Sequence, residues 1–200
     1  MNKNKKLEFP MPSNSNLQNR ISTINNSFVQ SIIPRISEKD QVKLKKYYEE
    51  LGIEQNQCVY CLKKGKVTGD HLHPLIKDKM PTGYITDINN IVPCCPDCNS
   101  SKGGKEFIDW YKSDCNVKRL NNFGISDEQI NQRYKIIVNY INNHHQEPLN
   151  LKDVFGEDDW NEFNKIKNQL EEKLKECKEF CDKLLVKTQN YLMNHDERHK

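Results

Sequence analysis

The sequence predicts an α+β chain in which a small zinc-stapled module with two strands is embedded in a mainly helical protein. Three observations carry that prediction. Two cysteine pairs, Cys58-x-x-Cys61 and Cys95-x-x-Cys98, have the hook spacing of one tetrahedral metal site. Two short apolar stretches, 67–74 and 90–94, are bounded by Gly, Asp, Asn and Pro and read as strands. In the C-terminal half, apolar residues recur at three- and four-residue steps, the period of an amphipathic helix.

Taken in order, residues 1–20 are polar, rich in Asn, Ser and Lys, and contain Pro10 and Pro12, the composition of a flexible arm. Residues 1–34 as a whole form the expected basic N-terminal region. Ser37-Glu-Lys-Asp40 has the form of a helix start and Gly52 that of a stop, with Val42, Tyr47, Tyr48 and Leu51 on one apolar face. The two strands follow, joined by a loop at 77–89 that contains Lys77, Lys79, Pro81, Gly83 and Tyr84 and is expected to be exposed. After Asn99 the segment through Tyr111 has Phe107, Trp110 and Tyr111 at helical spacing, with Gly103-Gly104 weakening its first turn. These elements make up an expected module at 35–120.

The remaining region, 121–200, is expected to be helical. Ser126-Asp-Glu-Gln129 is a capping box, and Ile130, Tyr134, Ile137, Val138 and Ile141 follow at helical steps. From Asp159 onward a long helix is expected, with Leu170, Leu174, Cys177, Cys181, Leu184 and Tyr191 on a seven-residue beat that Thr188 alone interrupts. This stripe has two readings. It packs on the helix at 127–143, the commoner behaviour, or it pairs with a second copy as a homodimer.

Composition narrows the classes. An apolar content of 35% over 200 residues implies a thin or divided core. Eight cysteines without an apolar run behind the Lys-rich start read as thiols of a cytoplasmic protein, and no stretch approaches the roughly 18 apolar residues of a membrane helix. The net charge of +3 is uneven: residues 1–34 and 35–120 are each positive, 121–146 are neutral and 147–200 are negative. Positive charge therefore accompanies the hooks, a weak pointer to a polyanionic partner.

The 33 residues between the hooks suffice for two strands and a connection but not for an independent core, so the metal must substitute for one. Four thiolates in a closed tetrahedral set select zinc in a structural role, with Cys58, Cys61, Cys95 and Cys98 as ligands. Cys94, one residue early, is read as core. Inside the zinc loop stand Asp70-His71-Leu-His-Pro74, then Asn90-Ile-Val-Pro93, then Cys95-Pro-Asp-Cys98-Asn99-Ser-Ser-Lys102-Gly103.

In that order these motifs closely resemble the HNH endonuclease family over about residues 58–111. The resemblance implies the ββα-metal fold, two antiparallel strands and a helix around a divalent ion. Residue by residue, it implies that His71 is the general base, Asp70 a ligand of the catalytic metal and Asn90 the residue that holds the base-bearing loop. Asn99 falls at the third signature position, where many relatives have histidine. A neutral amide oxygen there suits Mg2+, with Mn2+ or another divalent ion as alternatives. The implied reaction is hydrolysis of a DNA phosphodiester to 5′-phosphate and 3′-hydroxyl ends.

The chemistry asks for the same residue types independently. A phosphodiester hydrolase needs a base for the attacking water and positive charge at the departing oxygen, and histidine with an ordinary pKa of about 6.5 can accept a proton at neutral pH. His73, on the same strand face as His71 by alternation, and Lys102, near a helix start, are candidate phosphate contacts; each has a packing or solvated alternative. Cys177 and Cys181, with Cys115, His144 or His145, are a weak candidate for a second metal. His195 and His199 read as surface residues.

The leading expectation is a stand-alone type II restriction endonuclease acting on double-stranded DNA. The alternative is a non-catalytic zinc-stabilised nucleic-acid-binding protein, and RNA cleavage is a third reading. No recognition sequence is legible.

Overall fold

A computed structural model describes residues 17, 20–35, 37–41 and 43–196. Expectations for residues 1–16, Val42 and His199, and for the side chain of His195, fall outside what it describes. The elements in chain order are α1 (Ile21–Gln30), α2 (Glu38–Gln41), α3 (Leu44–Glu50), β1 (Thr68–His71), β2 (Ile76–Lys77), β3 (Met80–Pro81), β4 (Ile91–Cys94), α4 (Pro96–Lys102), α5 (Phe107–Tyr111), α6 (Asp114–Asn122), α7 (Asp127–Asn143), α8 (Leu151–Phe155) and α9 (Glu157–Asp196). The chain divides into two compact units, Asn26–Trp160 and a second formed by its two terminal segments.

In the unit Asn26–Trp160, β1 and β4 pair antiparallel with Asp70 opposite Val92 and His71 opposite Ile91. The first hook is a tight turn: Cys58 N donates to Lys63 O (3.0 Å), Leu62 N donates to Cys58 O (2.9 Å), and Leu62 takes a left-handed φ of 59°. Val59 N donates to Pro93 O (2.8 Å), which ties this turn to β4. The second hook is a strand-to-helix junction. Cys95 is extended, and Pro96 opens α4 at the first helical position, where its missing N–H costs nothing.

One core serves the hooks and the helices. All four hook cysteines are buried in a cluster with Leu51, Leu72, Val92, Phe107, Trp110, Tyr111, Leu120 and the inward face of α7. Around Tyr60 the rings of Phe107 and Trp110 lie 5.8 and 5.0 Å away. The capping box is present: Gln129 N donates to Ser126 Oγ and Ser126 N donates to Gln129 Oε1. Arg133 of α7 reaches inward and donates to the carbonyls of Val59 and Leu51.

Several expectations need correction. Residues 21–30, expected in the arm, are helical as α1. The helix at 37–51 is broken into α2 and α3 at Lys43. The single helical segment expected after Asn99 through Tyr111 is two helices, the first of which begins earlier, at Pro96, and ends at Lys102. Gly103 at φ 54° stops it, and a separate short helix starts at Phe107. The loop 77–89 is exposed only at Lys77–Lys79, because β2 and β3 fold it into a hairpin and its second half packs down. Gly83 shows how tightly: with φ +91°, a Cβ there would lie 2.3 Å from the backbone oxygen of Leu149.

α9 (Glu157–Asp196) is the long helix expected, and from Asn161 onward it belongs to the unit of terminal segments. The stripe is not buried along its length. Leu170 and Leu174 are partly covered, whereas Cys177, Cys181 and Leu184 are exposed, the last at 44%. No described helix is long and apolar enough to cross a membrane.

Candidate active site and zinc centre

The hook sulfurs converge. One Sγ from each of Cys58, Cys61, Cys95 and Cys98 lies within 4.8 Å of the others, and Cys61 Sγ is 3.7 Å from Cys95 Sγ. Four sulfurs at about 2.3 Å from a tetrahedral zinc stand about 3.8 Å apart, so the donor set and spacing fit that ion. The thiols hold one another's protons: Cys58 is lowered by S–H donation from its neighbours, while Cys61 is pushed up to about 12 by Cys58 and Cys98 is pushed up by the same neighbour. Zinc ligation takes all four sulfurs as thiolates, so binding of the ion releases thiol protons. Cys94 is buried beside the set as core, with its Sγ on Cys95 O. Arg119, held by Asn116 Oδ1, donates from Nη2 to Cys98 Sγ at 3.3 Å and offsets part of the charge of a tetrathiolate.

Asp70, His71 and Asn99 meet at one cleft of about 570 Å³, with Lys102 beside them. Asp70 is only 6% exposed. Its Oδ2 accepts from Tyr60 Oη (2.6 Å) and stands 3.5 Å from Lys102 Nζ. Burial pushes its carboxyl up, and Lys102 and Tyr60 oppose that rise. The Tyr60 backbone is fixed in turn, since Tyr111 Oη donates to its carbonyl (2.8 Å).

His71 ends β1 with its Nε2 2.9 Å from Thr86 Oγ1, a partner that lies in the connecting loop. Burial, helped by the Lys102 charge, lowers its pKa to about 4, so the ring is neutral at pH 7. Asn90 is 1% exposed and uses both ends of its amide on the chain that follows His71. Its Oδ1 accepts from His73 N (2.8 Å), and its Nδ2 donates to His73 O and Ile85 O (3.1 Å each). Asp87 Oδ1 accepts from the backbone N–H of Asn89 and Asn90, forming the turn that delivers the amide. Asn99 Nδ2 donates weakly to Thr68 Oγ1 at 3.4 Å, which leaves its Oδ1 as the acceptor at the cleft.

Two candidate contacts are placed differently from expectation. His73 lies beyond the end of β1, stacks on Tyr84 (4.3 Å) and has Nδ1 2.8 Å from Glu106 Oε2, so it does not share a face with His71 or line the cleft. Lys102 is the last residue of α4, not one at a helix start, and is 1% exposed rather than solvated. It donates to His71 O and balances Asp70. Of the second-metal candidates, Cys115, Cys177 and Cys181 are exposed, while His144 and His145 bond Glu50 and Glu147. Among the described residues, the tetracysteine set is the metal-type cluster.

Tyr60, Thr86 and Arg119 were missed in the sequence. Each acts through a partner at least ten positions away, with no local spacing to announce it. No curated protein and no solved structure matches the chain. Residues 58–105, roughly a quarter of the chain, match the model of the family described as HNH endonuclease.

Proposed function

We propose that the protein is a divalent-metal-dependent endonuclease that hydrolyses DNA phosphodiester bonds to 5′-phosphate and 3′-hydroxyl ends, and that its role is that of a type II restriction enzyme. In this reading residues 35–120 carry the chemistry and residues 121–200 give helical support. The observation that carries it is the convergence of Asp70, His71 and Asn99 on one open cleft beside a tetracysteine staple.

His71 is the general base. A neutral ring that gives its Nε2 proton to Thr86 presents a lone pair at Nδ1, which takes the proton of the attacking water. The water oxygen bonds to phosphorus as the bond from phosphorus to the 3′ oxygen breaks, and the departing oxygen gains a proton from solvent. Asp70 and Asn99 supply one carboxylate and one amide oxygen at a water-accessible cleft, a hard donor set that fits magnesium. When bound there, the ion would supply positive charge for the phosphate and the leaving oxygen. Asn90 touches no reacting atom; it fixes the chain between His73 and Ile85, and so the loop that brings Thr86 to the base.

A double-strand break requires two active sites or two visits. The exposed part of the α9 stripe, Cys177, Cys181 and Leu184, supports pairing with a second copy, and sedimentation with and without DNA tests it. The enzyme reading is tested by incubating supercoiled plasmid with protein and magnesium. Nicking by the wild type and its loss in His71→Ala are expected. Plasmid that is bound but never nicked would leave the non-catalytic zinc-stabilised nucleic-acid-binding protein in its place, and equal cutting of a structured RNA would widen the substrate.

A further inference from the structure

The cleft has a wall from outside the matched segment. Asn26 and Gln30, one helical turn apart in α1, line the hollow that holds His71. Both are exposed, and among the described residues neither side-chain amide has a protein partner; Asn25 beside them is buried. Gln30 also lines a second hollow of about 440 Å³, together with Arg35. It therefore joins two adjoining concavities. The β2–β3 hairpin brings exposed Lys77 to the first of them.

We propose that Asn26 and Gln30 are specificity-determining residues that contact the nucleotides of duplex DNA flanking the cut linkage. This rests on the nuclease reading above. Residues four apart on a helix are separated by about 6 Å along its axis, close to two nucleotide steps of about 3.4 Å on one strand. An amide presents a donor and an acceptor in fixed geometry, the pattern that matches an adenine edge, whereas lysine and arginine hold phosphates whatever the base. Lys77 and Arg35 thus position the strand, and the two amides select it. The family motif supplies a cutting centre without a recognition surface, and these are the amides the fold adds at that centre's own cleft.

The test uses the full zinc-loaded chain and the double variant Asn26→Ala/Gln30→Ala. Wild type first enriches duplexes from a random pool without magnesium, and anisotropy then measures the affinity of both proteins for the enriched duplex. Separately, the ends released from plasmid DNA with magnesium are sequenced. The variant should keep the wild-type zinc content and melting temperature, lose about tenfold or more in affinity, and lose base preference at one or two positions beside the cut. Lys77→Ala should weaken binding evenly and leave the end sequences unchanged. A pool from which wild type enriches nothing, or a double variant with unchanged affinity and ends, overturns the proposal. A wild type that binds selectively yet never cuts defeats the nuclease reading instead, and the affinity comparison still decides whether the amides touch DNA.

Discussion

On the proposed nuclease reading, replacing Asn90 with alanine separates the positioning of His71 as base from the integrity of the tetracysteine staple. The side chain is buried and makes three neutral hydrogen bonds, one received from His73 N and two given to His73 O and Ile85 O. At about 1 kcal/mol net for each, and more where the partner stays buried and unsatisfied, the loss should be about 3–4 kcal/mol. For a chain of this size each kcal/mol lowers the melting temperature by about 2–4 °C, so a fall of about 6–16 °C is expected. Asn90 touches none of the hook sulfurs, so zinc content should not change. The turnover rate should fall about a hundredfold, because Thr86 and the chain after His71 lose their shared anchor and a displacement of about 1 Å has that effect on a reaction step. Asn90→Asp keeps the acceptor for His73 N but turns an acceptor toward two carbonyls, and should be less stable than the alanine variant. Calorimetry, zinc assay and plasmid nicking read the three quantities. Melting within a degree of wild type, or loss of zinc together with activity, would refute this reasoning.

Cys58→Ser should abolish zinc retention and unfold the shared core, because ligation contributes folding free energy; a circular-dichroism melt like that of wild type would count against the staple. His71 has a folded-state pKa of about 4, below the unfolded value of about 6.5, so the folded protein binds fewer protons and this group costs stability as pH falls through that window. Urea unfolding without added magnesium should show a loss of about 2 kcal/mol from this group between pH 7 and pH 5, absent in His71→Ala; equal acid sensitivity of the two proteins would reject it. Asp70→Ala leaves the Lys102 ammonium buried without its counter-charge and should cost about 3 kcal/mol. Asp70→Ala/Lys102→Met should recover much of that loss in urea, and no recovery would show that the pair is not what Asp70 contributes to the fold.

Much of the site was legible because its parts lie in local patterns. The hooks announce themselves by spacing, and of the motif residues Asp70, His71 and Asn99 come to one cleft while Asn90 stands behind it on the chain that follows His71. The capping box at Ser126 and the long helix from Glu157 follow from side-chain chemistry within one or two turns. What could not be read is whatever depends on distant partners. Strand alternation put His73 beside His71, but β1 ends at His71 and Glu106 and Tyr84 draw the second imidazole away. The Lys102 side chain reads as a phosphate contact or a solvated lysine until Asp70, across the module, supplies a buried counter-charge. Glycines at 103 and 104 read as a weakness inside a helix, whereas the left-handed φ of Gly103 makes it a terminus.

The guanidinium of Arg133 grips carbonyls on either side of the first hook's entrance, at residues 74 and 82 positions earlier in the chain. A nascent polypeptide released as far as residue 120 already offers all four hook sulfurs, yet the arginine and the apolar side of α7 that finish the interior have not been made. During synthesis, ion capture can therefore come before closure, with the arginine acting as a late latch on a loop already gathered by its cation. A ribosome-stalled chain ending there should hold the metal while remaining open to proteases.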